Sequence, residues 1–464
     1  MYKVGPIVQS APSVSPAALG DPAFLNDYGI KYAYLAGSMY KGIASKEMVL
    51  ALGRAGLMGY LGAGGMALDE IDRALSVIGS ELVSGQSFGA NLLCNPERPD
   101  LEDQTVELYL NHGVRFIEAA AYRQLTPSLV RCRLRGVTTN LGGEVVTART
   151  LMAKVSRPEV AAAFLRPAPD AILRSLVESG RLSVREAELG SVIPMADDIC
   201  VEADSGGHTD GGVAFALLPA IEALRDEMMS QYRYGKKVRI GAAGGIGTPQ
   251  AAAAAFMMGA DFILTGSINQ CTVEAGTSSE VKDILQAINI QDTAYAPSGD
   301  MFELGSKVQV VRKGLFFPAR ANKLYELYVQ HKSLDEIDPE MRKQIQERYF
   351  RRTFSEVWEE TGAHYERSNP AMLRAAEVNP KQKMALMFKW YFVHSSRLAL
   401  QGRVEQKVDF QIHCGPALGA FNQWVKGSQL ESWRNRRVAD IAERLMNSVA
   451  ELFDRRISAL TSSR

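Results

Sequence analysis

The feature that most constrains this chain is an alternation. From residue 30 to about 290, short apolar runs alternate with longer amphipathic stretches. The runs are Lys31–Ala36, Leu57–Leu61, Ser87–Leu92, Val114–Ala119, Gly143–Val155, Ile199–Ala203, Val238–Ala242 and Asp261–Thr265. Helix-like segments lie between them: Lys46–Ala55, Ala67–Ile78, Leu101–His112, Pro158–Leu165, Ala214–Met229 and Pro249–Met258. Strands that are apolar on both faces belong to parallel sheets, whose crossover helices cover both sides. Eight such strands predict a TIM (β/α)8 barrel better than a doubly wound sheet. Thr248-Pro249 places a capping hydroxyl before a helix-initiating proline, and Ser183-x-x-Glu186 and Thr277-x-x-Glu280 fit capping boxes.

At 464 residues the chain exceeds one compact domain, which calls for a barrel plus an addition. Past residue 291 the rhythm changes to Lys, Arg, Glu and aromatic residues at helical spacing, with no strand–helix alternation. Gln291–Lys313, with Pro297, Gly299 and Gly305, reads as a loop or short-helix excursion. Ala319–His331, Pro339–Glu359, Lys381–Leu400 and Arg436–Leu460 read as helices, and the aromatic run Phe388–Phe392 as helix core. The expected organisation is an N-terminal extension over 1–30, the barrel over 31–290 and a C-terminal helical lid over 291–464.

Lys plus Arg and Asp plus Glu both number 52, so the net charge of +0 gives no reason to invoke nucleic acid or an anionic membrane. No stretch offers the ~20 apolar residues of a membrane span, and Met1–Gly20 lacks the apolar core of a signal peptide. The five cysteines form no CxxC pair, which suits reduced thiols rather than disulfides or a metal site. These features predict a cytoplasmic protein without metal.

Chemistry concentrates at three strand ends. Ala242-Ala243-Gly244-Gly245-Ile246-Gly247-Thr248-Pro249 follows an apolar strand and opens a helix, so its glycines let a ligand approach free N–H groups. One element later, Phe262-Ile263-Leu264-Thr265-Gly266-Ser267 ends in small and hydroxyl residues. Loops after strands 7 and 8 are the usual phosphate clamp of such barrels, and the pair together predicts phosphate binding. Glu202-Ala203-Asp204-Ser205-Gly206-Gly207-His208-Thr209-Asp210 ends strand 6, where His208 is a candidate catalytic or substrate-orienting residue. Glu118 and Asp204 are candidate acids or loop caps. Cys271 and Cys414 read as buried thiols.

The segments AGSMYKGIAS (Ala36–Ser45), GANL (Gly89–Leu92), EADSGGHTD (Glu202–Asp210), AAGGIGTP and TGSINQ resemble the nitronate monooxygenase-like flavin barrels. YRQLTPSLVRCR (Tyr122–Arg133), AKVSRPEVAAAFLRPAP (Ala153–Pro169) and the tail IHCGPALGAFNQWVKGS (Ile412–Ser428) are similar to the PfaD-type trans-acting enoyl reductases of polyunsaturated fatty-acid and polyketide synthases. The resemblance implies FMN, with NAD(P)H as transient hydride donor, and reduction of an α,β-unsaturated thioester on an acyl carrier protein. It implies that Ala36, Gly37, Ser38 and Met39 line the flavin edge, that Asn91 meets the pyrimidine side and that Lys154 brings positive charge near N1 and O2. Ser205, Gly206, Gly207, Gly244, Gly245, Ile246, Thr265, Gly266 and Ser267 are expected to hold the phosphate, and His208 to serve as donor or proton source. One departure stands in the tail, where His413 occupies a position expected to carry a polar residue such as Gln. Arg434, Arg436 and Arg437, with Arg351-Arg352, are candidates for a basic surface that meets an acidic carrier and other synthase components. The rival readings are a nitronate monooxygenase-type oxidase and a non-catalytic flavin-barrel scaffold.

Overall fold

The computed structural model describes residues 14–96 and 98–461. The first thirteen residues of the expected extension, and the last three of the expected lid, lie outside the described residues. Two compact units divide the chain. The first takes the residues to Val201, Phe215–Thr265 and Arg437 onward; the second takes Glu202–Ala214 and Gly266–Arg436.

Eight parallel strands close into a barrel in sequence order: β1 (Tyr34–Ala36), β2 (Met58–Leu61), β3 (Gly89–Leu93), β4 (Phe116–Ala120), β5 (Thr150–Val155), β6 (Asp198–Glu202), β7 (Arg239–Ala243) and β8 (Phe262–Thr265). Each corresponds to one of the apolar runs. The run from Gly143 divides, its first part forming a small hairpin (Thr138–Thr139 with Val145–Val146) before β5 begins. Glycines make the strands fit: a Cβ at Gly241 would strike the Phe262 ring at 2.3 Å, and one at Gly37 would meet Leu264 Cδ2 at 2.5 Å. Thr248 caps the helix Pro249–Met257 as expected, and Ser183 and Glu186 form their capping box. The third capping box is replaced. Ser278, one residue beyond Thr277, caps Ser279–Gln286.

Residues 14–30 do not stand apart from the barrel. The helix Pro22–Tyr28 drives Phe24 and Tyr28 into the core, where Phe24 stacks on Phe262 at 4.5 Å and Tyr28 on Phe116 at 4.6 Å. Each such aromatic contributes roughly 1.5–3 kcal/mol through burial. The Tyr28 hydroxyl donates to Asp198 at 2.8 Å, and Arg239, 2% exposed, pairs with the same carboxylate at 2.5 Å. The helix Val438–Thr461, read from sequence as lid, also belongs to this unit. Its Ile441, Leu445, Met446 and Val449 are buried, and it packs on Pro249–Met257, whose alanines admit a close approach.

The second unit contains a sheet where a loop was expected. β9 (Thr293–Pro297) pairs antiparallel with β10 (Lys307–Val311), and β10 pairs with the two-residue strand Gly207–His208. Pro297 ends its strand, where a missing N–H costs least. The valines at 308, 310 and 311 carry the β-preference and the burial. The helices of this unit surround an aromatic core of Phe302, Phe317, Phe350, Phe388, Tyr391 and Phe392. The expected helix Pro339–Glu359 is broken at Arg351, whose φ of 54° is left-handed, and resumes as Phe354–Ser368. Among the described residues no helix is long and apolar enough to cross a membrane.

Candidate functional site

In the barrel unit the predicted residues cluster where the strands end. Ser38, two residues beyond β1, gives its backbone N–H to Glu118 Oε2 at 3.1 Å and its hydroxyl to Oε1 at 2.6 Å. Glu118, from the middle of β4, has no exposed surface, and Lys154 Nζ on β5 lies 3.5 Å from its Oε1. Asn91 on β3 accepts the N–H groups of Ala63 at 2.8 Å and Gly64 at 3.2 Å through Oδ1. That commits the oxygen to the protein and leaves Nδ2 as the donor end. The segment after β1 is tied to the end of β2: Lys41 N–H donates to Gly64 O at 2.7 Å, Gly42 to Gly62 O at 2.8 Å, and Gly62 to Ala44 O at 2.8 Å. A Cβ at Gly62 would fall 1.8 Å from the Met39 carbonyl, so only glycine lets the two segments meet.

Past β7, Gly244 and Gly245 have φ of 84° and 74°, a pair of left-handed residues that turns successive amides toward one point. A Cβ on Gly245 would meet nothing within 4 Å, so open space faces it. Among the described residues none accepts a backbone hydrogen bond from Gly245 or Ile246. These are the features an anion cradle requires, and they fit a phosphate. Thr265 differs from its neighbours. It is 2% exposed and its Oγ1 shares a 2.7 Å hydrogen bond with Tyr34 inside the barrel.

In the second unit, Ser205 donates to Glu202 Oε1 at 3.1 Å. Gly206 lies against the tail, where its Cβ would sit 2.6 Å from Gly415 N and 2.8 Å from Cys414 Cα. Ser267 Oγ accepts the Gly415 N–H at 3.2 Å, and a Cβ on Gly266 would meet open space. The tail therefore fixes the turn after Ser205 and the start of the Ser267 helix. Asp204 caps its own loop, accepting from Thr209 Oγ1 at 2.8 Å and from the Tyr295 hydroxyl.

His208 is bound through Nε2 to Asp300 Oδ1 at 2.9 Å and to Ser298 Oγ at 2.8 Å. Partial desolvation raises the Asp300 carboxyl, but the hydrogen bond and charge of His208 outweigh it and hold the group well below the usual carboxylate range. The His413 ring stands edge-on to His208 at 6.5 Å. Burial, then the charge of His208, pushes its pKa down to about 4, so it is neutral at pH 7. Ser298 and Asp300 were not found by sequence reasoning. They flank Gly299 in a stretch read as loop, and only the sheet brings them to His208.

Cys271 and Cys414 are buried free thiols, and burial pushes Cys271 up to about 11, which removes it as a nucleophile. The expected basic surface is corrected at its centre. Arg436 is 1% exposed, gives hydrogen bonds to Leu430 O, Glu431 O and Asn422 Oδ1, and lies over the Phe421 ring. Arg352 pairs with Glu360 at 3.0 Å and Arg434 with Asp283 at 3.2 Å, so neither offers its charge unshared.

Three comparisons locate the chain among known proteins. Its structure is similar to the enoyl reductase domain of MlnA from the macrolactin biosynthesis cluster of Bacillus amyloliquefaciens, with a TM-score of 0.92 and 50% identity over 96% of this chain and 99% of that one. The polyketide biosynthesis protein PksE of Bacillus subtilis is 57% identical over 447 residues, and one of the polyunsaturated fatty acid synthase subunits of Thraustochytrium is 42% identical over 417. These alignments cover 96% and 89% of this chain but only 58% and 28% of the two relatives, so the chain spans a part of each. Residues 331–410 match a family model described as acyl-carrier-protein S-malonyltransferase, inserted helical domain.

Proposed function

We propose a function from one premise, that the chain belongs to the PfaD-type enoyl reductases of polyketide and polyunsaturated fatty-acid synthases: it reduces α,β-unsaturated thioesters presented in trans by an acyl carrier protein, with FMN as cofactor and NAD(P)H as hydride donor. The observation that carries the cofactor is the left-handed pair Gly244–Gly245 at the end of β7, with open space on its exposed side. The amides of Gly245 and Ile246 take the terminal phosphate. Gly266 and Ser267, directly after β8, and Ser205 to Gly207, just beyond β6, are assigned to the same phosphate by their place in the chain. Asn91 Nδ2 donates to the pyrimidine edge, and Ala36 to Met39 line the ring. When bound, FMN supplies hydride chemistry, carrying two electrons from NAD(P)H to the β-carbon of the substrate.

The thioester oxygen gains negative charge as the β-carbon accepts hydride, and a fixed donor lowers that barrier. His208 is assigned that donation. Asp300 and Ser298 orient its ring through Nε2, at 2.9 and 2.8 Å.

Purified protein is expected to release FMN on denaturation and to oxidise NADPH in the presence of an enoyl-pantetheine thioester. His208→Ala keeps the flavin absorbance and slows substrate reduction by ~10²–10⁴-fold, the usual contribution of a positioned acid or donor. Release of FAD, or failure to take up FMN, refutes the cofactor reading. Oxygen-dependent turnover of a nitroalkane in place of thioester reduction refutes the reaction.

A further inference from the structure

Glu118 is a carboxylate with no exposed surface in a strand whose other members, Phe116, Ile117, Ala119 and Ala120, are all buried and apolar. A buried carboxylate is costly by several kcal/mol unless it is paired and hydrogen-bonded. Here three donors from two other elements meet it: Ser38 N at 3.1 Å, Ser38 Oγ at 2.6 Å and Lys154 Nζ at 3.5 Å. In strand register Glu118 lies opposite Asn91 on β3 and Met152 on β5. The three residues it joins or adjoins, Ser38, Asn91 and Lys154, are those assigned above to the ring of the cofactor. No task in that assignment falls to Glu118 itself.

We propose that Glu118 is a positioning residue of the cofactor site, holding the Lys154 ammonium and the Ser38 segment in place and offsetting the lysine's charge toward the bound group. The inference rests on the flavin reading above. A lone ammonium beside a group that gains negative charge on reduction stabilises the reduced form. A carboxylate 3.5 Å from that ammonium converts the charge into a dipole, whose influence falls away faster with distance. The pair therefore keeps the site close to neutral while fixing the lysine.

The two partners consequently act on the cofactor with opposite signs. Glu118→Gln leaves an amide oxygen for the Ser38 donors and removes one negative charge from beside the Lys154 ammonium, so the midpoint potential of bound FMN rises. Lys154→Met leaves the carboxylate without its cation, so the potential falls, and FMN dissociation increases by about tenfold or more. Glu118→Asp, which keeps the charge with a shorter reach, falls between wild type and Glu118→Gln. The measurements are dye-equilibrated potentials of flavin-loaded protein and FMN titration by quenching, neither of which requires turnover. A residue that only braces the strands cannot give shifts of opposite sign. Flavin-loaded variants whose potentials stay at the wild-type value, or move in one direction together, overturn the proposal alone. A wild-type protein that takes up no FMN overturns the functional reading and the proposal with it.

Discussion

Acid should destabilise the second unit through one side chain, His413. Its ring is partly buried, its Nε2 lies 2.8 Å from Gln411 Nε2, and the His208 ring stands edge-on to it at 6.5 Å. Folding pushes its pKa down to about 4, whereas in the unfolded chain an imidazole titrates near ~6.5. The unfolded state therefore binds more protons throughout the window between these values, and falling pH favours unfolding across it. The loss begins below about 6.5, reaches about 2 kcal/mol at pH 5 and levels off at about 3 kcal/mol once the pH has fallen through the folded value of about 4. Asp300 and His208 face the ring, and their own titration adds to the raw pH dependence. The informative quantity is thus a difference between variants. His413→Gln places a neutral amide there and should reduce the stability lost between pH 7.5 and pH 5 by about 2 kcal/mol relative to wild type. Urea unfolding followed by tryptophan fluorescence reads this unit specifically, because Trp358, Trp390, Trp424 and Trp433 all lie within it. If wild type and His413→Gln lose the same stability on acidification, the ring is not held neutral by its surroundings and this account of acid lability is refuted.

Two further outcomes follow from glycines. Gly245→Asp should yield a folded barrel without FMN, since it adds a carboxylate at a left-handed position facing the proposed phosphate site; absorbance and released flavin report it, and a variant that retains FMN refutes the cradle. Gly206→Ala forces a Cβ to 2.6 Å from Gly415 N and should destabilise the second unit by ~1–3 kcal/mol in the same urea assay, while β1 to β8 remain folded by far-UV circular dichroism.

Much of this molecule can be read before it is seen, and the reasons differ by region. The barrel strands are legible because closure buries both faces, so each survives as an apolar run between glycine-rich ends. Glycines at strand ends likewise announce themselves, and Gly244–Gly245 adopt the left-handed turn that their sequence permits. The hairpin of β9 and β10 is not legible. Its residues alternate over only five positions each, and Pro297 with two glycines imitates a loop. Arg436 misleads for a different cause. Between two other arginines it reads as a solvated face, yet a guanidinium can be buried where carbonyls and an aromatic ring receive it.

Glu118 and the tail show what separates a motif from its reason. A single carboxylate in Phe116–Ala120 is visible in the sequence, but whether it caps a loop or sits in the interior depends on where Ser38 and Lys154 fall, and both are distant in the chain. The segment around Cys414 is legible only by resemblance, because its role is a contact between two glycines more than two hundred residues apart. Neither can carry a side chain: the missing Cβ of Gly415 would reach Gly206 N at 2.9 Å, and that of Gly206 would reach Gly415 N at 2.6 Å. The tail thus acts through absence of side chain at one residue and through the Gly415 N–H at the same residue, which Ser267 Oγ accepts at 3.2 Å. No local pattern encodes such a requirement. A glycine pressed against a distant backbone has the same sequence signature as a glycine in an open turn, and only the fold decides which it is.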